Sequence, residues 1–463
     1  MKRFALFIGI VFFSVSLMAE LPDWEWLKKV GAYSLPTNQT VYQVDDYGAK
    51  GDAFHLNTEA IQRAIDEAEK AGGGVVTFAP GIYLTGSIFV GNNVNLHIPK
   101  GTTLIGSLDI ADYRIIDTRV AGIEMPWPAA LINVIGKKNV AITGDGVIHG
   151  RGKIFWDKYW TMRKEYTPKG LRWIVDYDCE RPRGILIAES ENVTVRDIVL
   201  YQPGFWSLHI LYSSHITVDN IIISNNIEGH GPSTDGIDID SSEYILVQHS
   251  NINCNDDNFC LKAGRDSDGL RVNRPCSYVL IRDCIAGHGG GMFTCGSETS
   301  GGIHDIVVQR MKGIKTQCGF RFKSTCQRGG TVENIYICDV EMTGVNRPFV
   351  VDLNWNPAYS NSLLPEGYDK EQLPMHWKKM LEPVSLEQGT PYFKNVEMNR
   401  VISTDAQVCI DVVGIERSPI RNFVFNQVSI QGKKAGRIIW TENWDMKGLE
   451  LIAADKLKLE HNK

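Results

Sequence analysis

Long hydrophobic runs, an excess of positive charge and helical periodicity are all scarce in this sequence. The first apolar stretch, residues 4–15, is too short to cross a bilayer, so we expect no membrane span. The formal net charge is −6, which argues against a nucleic-acid partner because a phosphate backbone requires a clustered basic surface. No tight Cys-x-x-Cys pair is present, which disfavours a cysteine-bound metal. Helical periodicity is almost absent after residue 75, and strands without helical crossovers cannot build a doubly wound sheet.

The N-terminus has the pattern of a signal peptide. Lys2 and Arg3 supply the positive region, residues 4–15 the apolar core, and Ala19 a small residue before Glu20. We therefore predict a signal peptide at 1–19, export to the periplasm or the medium, and one domain over 20–463. A buried N-terminal helix is the alternative.

The chain contains 10 cysteines, most of them between residues 254 and 338. An exported protein permits disulfides. A chain of this length can nevertheless bury a core without them, and free cysteine is among the most buried residue types. We favour unpaired core cysteines over a disulfide framework.

A short β-rich pattern recurs along the chain. Its members start at Asn139, Asn192, His215, Tyr244, Tyr278, Asp305, Asn334, Asn395 and Asn422. Most neighbours lie roughly 23 to 34 residues apart, which is typical of solenoid repeats, and turn-forming residues follow each run. The pattern predicts an all-β fold, a coiled parallel β-helix. A β-propeller is the competing fold, but its four-stranded blades require longer units.

One amphipathic helix is predicted ahead of the coil, where it would cap the exposed first turn. Asn57 or Thr58 would cap its start, and the glycines at 72–74 would end it. Its apolar face consists of Ala60, Ile61, Ala64, Ile65 and Ala68.

The stretch from Asn354 to Gly389 interrupts the repeat. It carries Trp355, Tyr359 and Trp377, aromatic rings of the kind that stack on sugars, and several prolines that stiffen it. We interpret it as a long excursion from the coil that forms a wall beside a binding site. A simple packing loop is the alternative.

The repeat brings three aspartates together. Asp235 precedes Asp256 and Asp257 by one repeat unit, and equivalent positions on adjacent turns of a solenoid lie roughly 4.7–4.9 Å apart. Mutual repulsion raises the pKa of at least one carboxyl. A protonated and an ionised carboxyl together are what cleavage of a glycosidic bond needs. Calcium ligation and surface turns are the alternatives.

The next units add a histidine and two cations. His288 lies in a glycine-rich segment one turn further along, where the backbone can approach a ligand closely. Arg321 and Lys323 share one face of a strand, with Phe322 on the other. They predict a clamp for a carboxylate, or else charge balance for the aspartates.

The ordered segments S-T-D-G-I-D, N-D-D, G-H-G and R-F-K resemble the polygalacturonase family, glycoside hydrolase family 28. The patterns of that family read N-T-D, D-D, G-H-G and R-I-K. Segments at 44–52, 81–86 and 142–146 are similar to its opening turns, so the resemblance extends from about residue 41 to 430. The chain departs from the pattern at Ser233, where Asn is usual, and at Phe322, where Ile is usual. It also departs at residues 292–295.

The resemblance implies a right-handed parallel β-helix of the pectin-lyase type. It also implies hydrolysis of α-galacturonosidic bonds in pectin, with inversion and without a metal or other cofactor. Asp256 would be the general acid, and Asp235 and Asp257 would hold and deprotonate the water. His288 would support the protonation of the acid.

The expected partner is a pectic polysaccharide or oligogalacturonide, whose carboxylate Arg321 and Lys323 would bind, and we expect a monomer. The wall at 354–389 favours exo-action. Rival interpretations are a pectate lyase or pectin esterase on the same coil, and a non-catalytic β-helix that binds polysaccharide. A lyase would need calcium and a basic residue. A binding protein has no need for three mutually repelling carboxyls.

Overall fold

A computed structural model describes residues 21–463. The predicted signal peptide at 1–19 therefore lies outside the described residues. Each turn of the chain contributes one strand to each of three faces, and each strand pairs in parallel with its neighbours on the turns before and after. The predicted parallel β-helix is confirmed.

The first face contains Val41–Gln43, Gly74–Thr77, Val94–His97, Lys138–Thr143, Glu191–Arg196, Ser214–Asp219, Glu243–Gln248, Cys276–Arg282, Ile303–Gln309 and Thr441–Glu442. The second contains Asp52–Leu56, Gly81–Thr85, Thr102–Gly106, Val147–His149, Val199–Tyr201, Ile222–Ser224, Asn251–Asn253, Ile285–Ala286, Lys312–Ile314 and Leu449–Ile452. The third contains Ile88–Phe89, Ile132–Ile135, Ile185–Ala188, Leu208–Leu211, Ile237–Asp240, Asp257–Lys262, Gly291–Cys295, Cys318–Lys323, Arg347–Asp352 and Lys458–Glu460. Three long strands bend across more than one face: Thr331–Thr343, Tyr392–Val413 and Ile420–Ile439. Ile115–Val120 and Ile123–Pro128 form a separate antiparallel hairpin.

Helices lie outside the coil. The α-helices are Thr58–Lys70, Lys153–Tyr166, Val175–Asp178, Asp266–Val272, Pro357–Ser360, Met375–Met380 and Leu386–Gly389. The 3₁₀ helices are Glu25–Lys28, Val44–Tyr47, Ile110–Asp112, Thr167–Lys169, Arg172–Ile174 and Lys370–Gln372. No helix between residues 21 and 463 has the length and apolar character needed to cross a membrane.

The recurring segments all lie on the first face, and their apolar positions pair turn by turn. Their first residues adopt a left-handed backbone, with φ of 57° at both Asn139 and Asn422. Asparagine tolerates this region better than most residues. Its amide also joins successive turns, since Asn422 Nδ2 donates to Asn395 Oδ1 at 2.9 Å.

Phenylalanines fill the interior of the coil behind the third face. Phe293, Phe320 and Phe349 occupy paired positions on successive turns and are fully buried. Phe322 also points inward and packs against Phe293 and Phe349, with ring centroids 6.5 and 5.9 Å away. The departure from isoleucine at 322 therefore matches its aromatic neighbours. All 10 cysteines are free and nearly all are buried, which confirms the preference for unpaired core cysteines.

The helix Thr58–Lys70 buries the five predicted apolar residues against the first turns of the coil, so this capping helix is confirmed. The predicted cap was wrong. Asn57 makes no cap hydrogen bond, because its side chain instead holds the preceding loop by accepting from the Lys50 N–H at 2.7 Å. Thr58 Oγ1 accepts from the Gly86 N–H at 2.7 Å.

Three excursions leave the coil at the two corners that flank the third face. The predicted one runs between the strands that end at Asp352 and begin at Tyr392. Two others were not predicted: the hairpin at 115–128 and a helical segment at 151–184. The expectation of almost no helix after residue 75 was wrong here, because Lys153–Tyr166 is helical with only Phe155, Trp156 and Tyr159 buried. So narrow a face gives little periodic signal.

The excursions pack on one another and form a wall over one end of the third face. Trp127 of the hairpin, Trp173 of the helical segment and Trp377 of the third excursion share one apolar cluster with Trp206 of the coil. The Trp173 and Trp377 rings meet edge to face with centroids 5.3 Å apart. Large aromatic side chains dominate such contacts, so the wall has a core of its own.

Candidate active site

A cavity of about 280 Å³ lies between the third face and the wall. Its floor is formed by the neighbouring strands Ile237–Asp240, Asp257–Lys262, Gly291–Cys295 and Cys318–Lys323. Residues that line it include Asp235, Asp256, Lys262, Arg321, Lys323 and Trp355. The predicted candidate residues other than Asp257 and His288 therefore face one cavity.

The three predicted carboxyls converge. One oxygen from each of Asp235, Asp256 and Asp257 lies within 4.8 Å of the others. This follows from the one-turn offset, which places Asp235 just before one strand and Asp256 just before the next. The same spacing would suit a single bound cation, since carboxylate oxygens are the ligands that calcium prefers.

Asp257 is the ionised member of the cluster. Its side chain is fully buried, and Lys323 Nζ and Arg321 Nη1 lie 2.7 and 3.1 Å from its two oxygens. Thr294 Oγ1 also donates to it at 2.8 Å. Burial alone would raise the pKa of Asp257, but the charges of Lys323 and Arg321 outweigh burial and lower it well below its usual range.

Asp235 and Asp256 have the opposite character. Burial, followed by the charge of Asp257, raises the pKa of Asp256, whose Oδ1 accepts from the Asp257 N–H at 3.0 Å. Burial, followed by the charges of Asp238 and Asp256, raises the pKa of Asp235 well above its usual range. The side chain of Asp235 accepts no hydrogen bond from any residue in 21–463, so its oxygens face the cavity. The site thus holds one carboxylate and two carboxyls that favour a proton.

Lys262 is a site residue that the sequence reasoning missed. Its Nζ lies 3.7 Å from Asp235, 3.5 Å from Asp238 and 3.4 Å from Glu298. Burial opposes its charge, but the surrounding acidic groups outweigh burial and raise its pKa. Strand alternation could have revealed this residue. Lys262 pairs with Asp240, which lies on the outward-facing side of the preceding strand, so Lys262 faces outward too.

His288 is exposed, and its ring forms no hydrogen bond with the aspartates among the described residues. The glycine-rich segment has a different structural effect. A Cβ at Gly291 would lie 2.7 Å from Asp257 Oδ1 and 2.3 Å from Thr294 Oγ1. Glycine at 291 therefore leaves room for the buried carboxylate.

The aromatic residues of the third excursion divide into two groups. Trp355 lines the cavity, and its ring lies 4.4 Å from Lys323 Nζ. Tyr359 also borders it, although its ring is held between the guanidinium groups of Arg172 and Arg265, 5.0 and 4.7 Å away. Trp377 was predicted to stack on sugar, but it lies in the wall core, so that expectation was wrong.

Ser233 connects the third face to the wall. Its hydroxyl donates to Asp176 at 2.8 Å, and Asp176 belongs to the helical excursion. Its φ of 51° is unusual for serine and is better tolerated by asparagine. The hydrogen bond to Asp176 gives a reason for serine at this position.

A parallel β-helix has the groups of a glycoside hydrolase when carboxyls that favour a proton and a carboxylate held by cations lie beside a cavity. The family model described as "Glycosyl hydrolases family 28" matches residues 92–364. This chain belongs to that family, as the resemblance to polygalacturonases implied. A second model, described as "Rhamnogalacturonase A/epimerase, pectate lyase-like", matches residues 41–118.

Similar proteins extend the comparison beyond the matched segment. The chain is 26% identical over 408 residues to a "Probable polygalacturonase" of Vitis vinifera, covering 86% of this chain and 75% of that protein. It is 25% identical over 348 residues to an "Exo-poly-alpha-D-galacturonosidase" of Dickeya chrysanthemi, covering 67% and 56%. A crystal structure of an exopolygalacturonase from Thermotoga maritima superimposes with a TM-score of 0.75 at 24% identity, covering 94% and 95%. That likeness shows the shared right-handed β-helix.

Proposed function

We propose that this enzyme is an exo-acting galacturonidase that hydrolyses α-galacturonosidic bonds at the end of a pectic chain. Family membership supplies the hydrolase class. The observation that carries the exo mode is the position of the cavity against the wall, since all three excursions contribute residues to its lining. Its volume of about 280 Å³ lies just below the range for ligand pockets, about 300–1,000 Å³. Such a space suits a chain terminus and excludes a chain that continues past the wall.

The substrate is an acidic sugar because the cavity presents cations to it. Arg321 Nη1 donates a hydrogen bond to Asp257, and the other N–H groups of Arg321 have no partner among residues 21–463. A guanidinium can bind a carboxylate through two parallel hydrogen bonds. Lys323 has a side-chain exposure of only 6% and is held by Asp257. It therefore contributes charge more than direct contact.

The proton distribution assigns the catalytic roles. Asp256 lies beside the ionised Asp257, which favours a proton on Asp256 and makes it the general acid. Burial and the charges of Asp238 and Asp256 raise the pKa of Asp235, whereas Lys262, 3.7 Å away, acts in the opposite direction. A proton on Asp256 removes one of the two repelling charges, so we assign Asp235 as the base for water. Asp256 protonates the glycosidic oxygen as its bond to the anomeric carbon breaks, and Asp235 takes the proton of the attacking water.

Asp257 and His288 have indirect roles in this scheme. Asp257 holds both cations and maintains the proton on Asp256, instead of holding water as the resemblance implied. His288 was expected to support the protonation of the acid; its ring makes no hydrogen bond with the aspartates among residues 21–463, and this role stays a prediction.

We propose inversion as the stereochemical outcome. The support is family membership and not the spacing of the carboxyls. The closest oxygens of the three carboxyls lie within 4.8 Å of one another. This is shorter than the roughly 6.5–9.5 Å between carboxyl groups that is typical of inverting enzymes. Proton NMR of the first product distinguishes the outcomes: the β-anomer supports inversion, and the α-anomer would mean a covalent intermediate on Asp235.

We further propose that the enzyme acts outside the cytoplasm as a monomer. The signal-peptide pattern at 1–19 supports export, and every group of the proposed site comes from one chain. Sequencing the N-terminus of the mature protein tests the first part.

The exo mode is tested on polygalacturonate by following viscosity and products together. We expect monosaccharide or one short product at early times while viscosity barely falls. A rapid fall in viscosity with a ladder of oligomers would mean internal cleavage. Absence of any galacturonate product would reject the substrate class. An Asp256→Asn preparation purified in parallel controls for contaminating pectinases.

A further inference from the structure

We propose that the helical excursion carries a second carboxylate-binding position, formed by Arg163 and Arg172. It would hold the acidic group of the sugar at the closed end of the cavity. The inference rests on the proposed function, in that the cavity receives the end of a galacturonate chain. Arg321 would then bind one carboxylate near the cut, and the wall would bind another.

Arg163 is an unpaired cation beside the cavity. It lies in the helix Lys153–Tyr166 and borders the same cavity as Asp235 and Asp256. Its guanidinium lies 5.1 Å from the Trp160 ring centroid, which fixes one face of the group. Among residues 21–463 it forms no ion pair, so its N–H groups are free to bind an anion.

Arg172 is held from the opposite side. Its Nη1 donates to Asp176 at 2.9 Å, and its guanidinium lies 5.0 Å from the Tyr359 ring. Its side chain remains 14% exposed and borders the cavity. Two contacts of this kind leave the rest of the guanidinium fixed in place, which lowers the entropy cost of binding.

The corner of the cavity around Asp176 has more positive than negative charge. The buried Asp176 also accepts from Arg181 Nη2 at 3.1 Å, so one carboxylate is shared by two arginines. Arg163 adds a third cation without a carboxylate partner in the described part of the chain. An anion in this corner would restore the balance, whereas a neutral sugar would leave the guanidinium groups desolvated without a partner.

The position is tied to the catalytic strand. Asp176 accepts a hydrogen bond from the Ser233 hydroxyl at 2.8 Å, and Ser233 lies two residues before Asp235. Arg172 is therefore oriented relative to the catalytic carboxyls by one short chain of contacts. The enzyme would accordingly select chain ends whose last sugar carries a free carboxylate.

The test compares Arg163→Gln with Lys164→Gln, which makes the same charge change at an exposed neighbour on the same helix. The substrates are trigalacturonate and the trimer whose closed-end sugar has its carboxyl reduced to an alcohol. On trigalacturonate, Arg163→Gln should lower kcat/KM roughly 10- to 150-fold, as expected for loss of a charged hydrogen bond. The loss should appear mainly in KM, with the pH profile of kcat unchanged.

On the reduced trimer, wild type should lose a similar factor, and Arg163→Gln should lose little more. Arg172→Lys keeps the pair with Asp176 but loses the planar fork, so it should show a smaller loss on trigalacturonate alone. An Arg163→Gln enzyme that behaves like Lys164→Gln, or that loses equally on both trimers, would overturn the proposal.

A binding measurement separates this inference from the proposed function. Calorimetry in the Asp256→Asn background uses trigalacturonate as the probe and needs no turnover. Adding Arg163→Gln should weaken binding at least about 10-fold, as for one charged contact. If wild type releases no galacturonate, the proposed function fails, but this result still decides the wall position. The proposed wall position is overturned if Arg163→Gln leaves the binding of trigalacturonate unchanged, or if trigalacturonate does not bind at all.

Discussion

Replacing Lys323 with Met should destabilise the protein through Asp257. The two side chains form an ion pair of 2.7 Å, with exposures of 6% and 0%. Removing one partner of a buried pair costs about 3–5 kcal/mol, because the remaining charge stays buried. Arg321 still contacts Asp257 at 3.1 Å, which places the expected cost near the lower end, about 3 kcal/mol.

This cost can be measured as a shift in melting temperature. Unfolding entropy is about 2.1 cal/mol/K per residue, which gives about 1 kcal/mol/K for 463 residues. A loss of about 3 kcal/mol should therefore lower Tm by about 3 °C. Thermal unfolding monitored by tryptophan fluorescence measures this shift. Lys312→Met is the matched control, because Lys312 pairs with Glu341 at 3.8 Å on the exposed surface. It should change Tm by less than about 1 °C.

The pH dependence supplies a sharper criterion. The pKa of Asp257 is lowered in the folded protein, so its stabilising effect is full above its unfolded pKa of about 3.9 and is lost as pH falls through the lowered value. In Lys323→Met the pKa of Asp257 should rise, so the carboxyl takes up a proton as pH falls. The Tm gap from wild type should then be widest near pH 7 and narrow towards pH 4. Adding Asp257→Asn should recover most of the loss. A gap below about 1 °C at pH 7, or one independent of pH, would refute the reasoning.

Three further predictions concern the chemistry. Asp256→Asn should abolish nearly all turnover while trigalacturonate still binds, because the change removes a proton donor and little volume; calorimetry with product analysis checks both, and retained turnover would place the acid elsewhere. EDTA should leave activity unchanged, although the three aspartates have a spacing that suits a cation. The products should carry no 4,5-unsaturated end, which is visible in the near ultraviolet; its appearance would make the protein a lyase.

The coil was predictable because its signals are local. Each recurring first-face segment starts with a residue in a left-handed backbone conformation, such as Asn139 or Asn422, and apolar alternation follows. The convergence of Asp235 with Asp256 needed only the one-turn offset. The common side of Arg321 and Lys323 needed only strand parity.

The wall and the partners of the charged groups were less predictable. The hairpin at 115–128 and the helix Lys153–Tyr166 depend on contacts between distant segments, and neither repeats. The gap between Asn139 and Asn192 is nearly twice the usual period. This spacing indicates that part of the intervening chain leaves the coil. Parity placed Lys323 on the correct face but could not show that its partner is Asp257, since that depends on how deeply Asp257 is buried.

The position of the excursions separates two properties of the enzyme. All three emerge at corners that flank the third face, so an insertion or deletion within them changes no strand register. Bond-breaking groups and the depth of the substrate channel can consequently change independently during evolution. Under the proposed function, shorter excursions would open the walled end of the cavity while Asp235, Asp256 and their spacing stay the same. Relatives that cut polymers internally and relatives that trim them from an end can then share the same catalytic residues on the third face.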